Sequence, residues 1–191
     1  MDEINLLEKQ LNRMRSMNRF YHQQFLLDVR IFLVVGLIFL YFSFTNNYSN
    51  YLLNLSAIFG SVLLAFHAYY LIFSRHYSEY LEKRINKLVG SDVFITHKLE
   101  NNYMFPINDK KIVVAKIGKN FSWFGFVTLF ITFFGLSLYV YSLHNIYFLI
   151  QNKLFTYFSV FIFLITFIIG YWWFIKNIGE KRLKDAYLNE V

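Results

Sequence analysis

Four long apolar runs, separated by polar and charged stretches, organise the chain. Tyr51 to Phe73, Phe121 to Leu143 and Leu154 to Ile175 extend over 23, 23 and 22 residues without a single Asp, Glu, Lys or Arg. At about 1.5 Å of rise per residue each exceeds the roughly 30 Å hydrocarbon thickness of a bilayer, which predicts three membrane-spanning helices. The first run, Ile31 to Phe44, has 14 residues. It would reach only about 21 Å, so its helix must begin earlier, near Phe25, with Asp28 and Arg30 at one interface. The links Asn46 to Asn50 and His144 to Lys153 are too short for a domain, so each should close a helical hairpin.

Outside these runs the period is again helical. Ile4, Leu7, Leu11, Met14, Tyr21 and Phe25 fall at alternating three- and four-residue steps, with Asn18 interrupting, which predicts one helix from about residue 3 to 44. Two uses of its apolar face stay open. It could form a heptad seam between subunits, with Asn18 setting register, or it could lie on headgroups or pack on the chain's own central segment. Tyr77, Leu81, Ile85 and Leu88 extend the second span beyond the membrane beside Glu79, Glu82, Lys83 and Lys87, and Gly90 is placed to end that helix. Further on, Val93 to Ile95 and Ile112 to Val114 are rich in β-branched residues and predict a small β-hairpin across Pro106 to Asp109. The tail beyond Lys176 reads as a short charged helix.

Charge orients the predicted bundle. Of 19 Lys and Arg, five lie in residues 1–30, nine in 75–120 and four in 176–191, leaving Lys153 alone on the other side. This is the positive-inside pattern of a four-pass protein with both termini in the cytosol. Trp123, Tyr171, Trp172 and Trp173 stand where an aromatic belt would form on that same face. The composition, 57% apolar and 22% aromatic in 191 residues, is more than so small a globule could cover with polar surface. The fold class expected is therefore all-α integral membrane, with a cytosolic amphipathic helix (1–24), a first transmembrane hairpin (25–74), a basic cytosolic insert (75–120), a second hairpin (121–175) and a cytosolic tail (176–191). No cleavable signal peptide is evident, so the first span should direct insertion into the cell membrane. The net charge of +7 is concentrated in the insert. Anionic headgroups account for it more simply than nucleic acid, since Lys110 and Lys111 alone make no patch.

Candidate chemistry is sparse. Gly125, Thr128, Thr132, Gly135, Tyr139 and Ser142 line one face of the third span, and Ala57, Ser61 and Ala65 recur at four-residue steps in the second. Small and hydroxyl side chains suit close helix contact or, across several copies, a wetted pore wall. His67 lies about two turns inside the second span and needs a polar partner; with Asp28 and Arg75 it forms a candidate gating or polar network. Zero cysteines exclude thiolate metal sites and cysteine nucleophiles. Neither a histidine-rich metal motif nor a phosphate-binding glycine loop occurs, so no metal, cofactor or enzymatic activity is expected. Arg15 and His22 fit the loose Arg-x(4–6)-His pattern of HEPN-type ribonucleases, a spacing that arises easily by chance.

A charged N-terminal helix, two hairpins, a basic insert and almost no external mass, with Tyr80-Leu81-Glu82-Lys83-Arg84-Ile85-Asn86 as a stop-transfer helix, resemble small four-span proteins of bacterial defence systems. Type VI-B CRISPR accessory membrane proteins are one example. The resemblance implies a protein that assists a cytosolic nuclease or senses a nucleotide signal and alters membrane integrity. The reading that follows is a homo-oligomeric, pore-forming or membrane-perturbing effector controlled from the cytosol. Its alternative is a non-conducting anchor that recruits a cytosolic partner through residues 75–120.

Overall fold

The structure is a computed structural model and describes residues 2–103, 123–176 and, in the tail, 178, 179, 181, 182 and 185. It contains α1 (Asp2–Ser43), α2 (Ser49–Val89), α3 (Thr96–Tyr103), α4 (Trp123–Asn145) and α5 (Lys153–Gly170). π-helical turns extend α4 through Ile146–Ile150 and α5 through Tyr171–Ile175. Helices α1, α2, α4 and α5 are each long and apolar enough to cross a membrane. The chain thus has the architecture of an all-helical, multi-pass membrane protein.

Helix α2 is the hub. Its far end, remote from the α1–α2 link, packs Leu81 and Ile85 on Leu7 and Leu11 of α1, with Ile4, Met14 and Tyr77 around them. Towards the middle, Leu64, Ala68 and Leu71 meet Phe25, Val29 and Phe32, joined by Ile131 of α4. Near the link, Leu53, Ala57 and Ile58 meet Leu138 and Tyr139. The amphipathic face of α1 is therefore covered by α2 of the same chain, which assigns the periodic apolar positions to intramolecular packing. The driving force changes along the rod. Where water surrounds the base, burying one leucine or isoleucine contributes about 1.5–3 kcal/mol. Within lipid the tails are as apolar as leucine, so van der Waals fit and hydrogen bonds must hold the helices together.

The helix ends follow local rules. Gly90 stops α2 in the left-handed region at φ 74°, its N–H bonded to Asn86 O. Asn46 Oδ1 accepts the Tyr48 N–H at 3.0 Å in the α1–α2 link, an Asx turn. Asn152 caps α5 by accepting the Phe155 N–H at 3.0 Å.

One local expectation is corrected. Among the described residues there is no strand: Val93 to Ile95 is an irregular segment, and Ile112 to Val114 lies outside the described residues. The reason is a side chain. Asn86 Nδ2 donates to Phe94 O at 2.8 Å and Asn86 Oδ1 accepts the Phe94 N–H at 2.9 Å, giving this backbone the two bonds that a pairing strand would have supplied.

Candidate functional site

Three polar clusters lie along α2. The one nearest the link joins α2, α4 and α5 through fully buried side chains. Asn54 Nδ2 donates to Ser142 Oγ at 3.1 Å, Ser142 Oγ donates to Tyr139 O at 2.9 Å, and Ser159 Oγ donates to Asn54 Oδ1 at 2.6 Å. The Tyr139 hydroxyl lies 3.4 Å from Ser159 Oγ; with the serine proton on Asn54, tyrosine is left to donate. One turn nearer the link, Asn145 Nδ2 donates to Asn50 Oδ1 at 3.1 Å and Asn50 Nδ2 to Asn47 O at 2.9 Å. Each of these amide nitrogens and hydroxyls has a partner, as an apolar surrounding demands. The cluster is suited to fixing three helices in register.

In the middle, His67 Nδ1 of α2 pairs with Asp28 Oδ2 of α1, both largely buried. Tyr21 stacks on Tyr70 at 4.7 Å beside them. Arg75 is buried eight residues further along α2. Asp28 and His67, two members of the candidate polar network, are thus paired across helices.

The third cluster is the base. Glu82, 2% exposed, accepts Arg15 Nη2 at 2.9 Å through one oxygen. Its other oxygen accepts the His97 backbone N–H at 3.0 Å and His97 Nδ1 at 2.8 Å. Thr96 Oγ1 accepts a second bond from Arg15 at 3.2 Å, and the guanidinium lies 5.5 Å from the centre of the Phe94 ring. Glu82 therefore caps the N-terminus of α3 from another helix, where an anion also meets the positive end of the helix dipole. Burial pushes this carboxyl up, but the His97 N–H, Arg15 and the His97 ring outweigh burial and hold it below the usual carboxylate range. It is ionised at neutral pH. Arg15, Asn18, Ser78, Glu79, Thr96 and His97 surround it and leave about 20 Å³, room for one water.

The sequence-predicted residues divide. Tyr139 and Ser142 are buried in the first cluster, and Ala57 is buried against α4. Gly135 sits where an added Cβ would lie 3.2 Å from Phe32 and 3.3 Å from Ser61 Oγ, while Ser61 itself bonds Ala57 O at 2.7 Å. Ala65 is half-buried. Thr132 is exposed and donates to Thr128 O of its own helix at 2.8 Å, and Gly125 lies in the first turn of α4. Arg15 and His22 are not brought together: Arg15 is engaged by Glu82 and Thr96, whereas His22 is exposed. Sequence reasoning missed Asn50, Asn54, Asn145 and Ser159. Asn54 inside an uncharged 23-residue run was the available signal, because a carboxamide in lipid requires partners.

Among the described residues no group of three His, Cys, Asp or Glu could hold a metal ion. Fold and clusters together define a four-helix membrane bundle with a polar base. No family model, curated protein or solved structure matches the chain.

Proposed function

We propose that the chain is a multi-pass anchor of the cell membrane whose termini and base face the cytosol, where the base holds a cytosolic partner at the bilayer. The observation that carries this reading is the continuity of α1 and α2 from the apolar spans into a base closed by Leu7, Leu11, Leu81, Ile85 and the Arg15–Glu82–His97 cluster. A partly polar platform is built there, while the intramembrane amides of Asn50, Asn54 and Asn145 bond across helices of one chain and the Ser56, Ser61 and Thr132 hydroxyls bond carbonyls of their own helix. The two-hairpin arrangement with cationic ends inside is part of the same proposal, resting on the charge distribution. Following the resemblance to defence-system proteins, the partner is a nuclease or a component that reports a nucleotide signal.

The exposed hydroxyl of Thr132, beside Thr128 and Gly125 on α4, favours a second reading in which several copies assemble a conduit. Two measurements separate them. The chain has no cysteine, so single cysteines placed at Asn46 and Ser91 report topology with an impermeant maleimide. In intact cells the anchor reading expects labelling at position 46 only; labelling at position 91 would invert the topology. Purified protein in dye-loaded vesicles should leave the dye inside. Protein-dependent leakage would replace the anchor by the pore.

A further inference from the structure

Beyond the last turn of α2 the base carries a cleft of about 560 Å³, within the roughly 300–1,000 Å³ of small-molecule sites. Lys83 and Lys87 of α2 and Lys98 of α3 line it, with Asp92 as the one acidic group of the lining. Lys87 forms no ion pair among the described residues. Lys83 and Lys98 rest on Glu79 and Asp92 at 2.6 and 2.5 Å. Both lysines are exposed, so these pairs are weak and exchange readily for a ligand of higher charge.

A second feature borders the same cleft. His97 is 6% exposed, and its Nδ1 is committed to the carboxylate of Glu82. That bond leaves Nε2, on the opposite edge of the ring, with no protein partner among the described residues, and the ring lines the lysine cleft. The ring thus stands beside three ammonium groups at the wall of the cleft.

Position decides between lipid and soluble phosphate. The uncharged run of α2 ends at Phe73, and Lys83 and Lys87 lie ten and fourteen residues beyond it. At about 1.5 Å per residue they stand roughly 15 and 21 Å from the hydrocarbon edge. The headgroup layer is only about 5–8 Å deep on each side, so headgroups of a flat bilayer fall short.

We propose that this cleft binds a soluble phosphate-bearing small molecule of nucleotide size, its phosphates held by Lys83, Lys87 and Lys98 beside the His97 ring. The proposal holds whichever side of the membrane the base occupies, and for the anchor and the pore alike.

The test uses the full chain in nanodiscs of phosphatidylcholine, whose two faces are both open, with ADP and pyrophosphate as probes in titration calorimetry. One saturable site per chain is expected for each, with adenosine not binding. Lys87→Gln combined with Lys98→Gln changes exposed side chains and should weaken ADP binding at least tenfold while the melting temperature stays constant. Lys153→Gln, at the other end of the bundle, should leave binding unchanged. Absence of saturable ADP and pyrophosphate binding would overturn the proposal, as would affinity indifferent to the Lys87/Lys98 pair. Discs containing phosphatidylserine distinguish the sources: undiminished ADP binding supports a soluble ligand, and competition by the anionic lipid would overturn it.

Discussion

Asp28 of α1 and His67 of α2 hold their side chains together in the apolar middle of the α1–α2 pair, so each is the other's means of being there. Removing one partner leaves a buried polar group unsatisfied, at a cost of about 1–3 kcal/mol. Asp28→Ala and His67→Ala should each lower the melting temperature in detergent. The double variant should lose less than the sum of the two, because the second truncation removes a group already orphaned. Single variants that melt with the wild type, or strict additivity, would show that the contact does not couple the helices.

Gly60 and Gly170 are both helical glycines in apolar surroundings, and substitution should separate them. A Cβ at Gly60 would stand 2.2 Å from Cδ2 of Phe32, a buried ring set edge-on to Phe134. At Gly170, with φ −60° and ψ −43°, nothing described lies within 4 Å of the added carbon. Gly60→Ala should therefore cost about 1–3 kcal/mol through overpacking. Gly170→Ala should be neutral or stabilising by up to about 1 kcal/mol through helix propensity. Thermal unfolding of both variants in the same detergent checks the contrast, and equal effects would argue against close approach of α1 to α2 at Gly60.

These contacts show how far periodicity reaches. Three- and four-residue steps from Ile4 to Phe25 predict a helix over 3–44, and α1 spans Asp2–Ser43; Gly90 is read as the stop of α2 and is its left-handed cap. Both follow from backbone physics local in sequence. Period identifies a face but not its neighbour, which is why the α1 face could equally have joined subunits. Polarity misleads in α4, because a threonine hydroxyl can bond the carbonyl four residues back, as Thr132 does. The same stripe therefore contains an exposed Thr132 and a fully buried Ser142. Asn54 and Ser159 are 105 residues apart, and no local pattern links them. Nor could β-branched propensity foresee that Asn86 satisfies the backbone of Phe94.

Asn54 is the centre of the amide cluster, accepting from Ser159 and donating to Ser142. Interhelical hydrogen bonds in membranes average about 0.6 kcal/mol and reach about 1.7. Asn54→Leu removes two of them and leaves Ser142 and Ser159 in an apolar pocket, so a loss of about 1–2 kcal/mol is expected. Ser159→Ala added to Asn54→Leu should cost little more, since its only strong acceptor has gone. Steric-trapping measurements of stability in bicelles read both. A large additional loss from Ser159→Ala would place its partner elsewhere.

Glu82 gives the base a defined response to acid. Although burial raises its carboxyl, the His97 N–H, Arg15 and the His97 ring bring the folded-state value below the usual carboxylate range. A depressed folded pKa means that the stabilisation is fully present above the unfolded value of about 4.3 and is lost as pH falls through the lower folded value. Protonation takes the charge from both Arg15 and the α3 cap at once, and Glu79, also held low against burial by Lys83, titrates in the same direction. The base should thus keep α3 docked from neutral pH down to the ordinary carboxylate range and release it only below. Because the chain has no native cysteine, nitroxides on cysteines at the exposed positions Asn12 and Leu99 report the α1–α3 separation without background. One narrow distance distribution is expected at neutral pH, broadening below the carboxylate range. Glu82→Gln keeps the shape but not the charge, and should show the broad distribution already at neutral pH. A narrow distribution in that variant would mean that packing of Phe94 and Leu81, and not the carboxylate, holds α3 on the base.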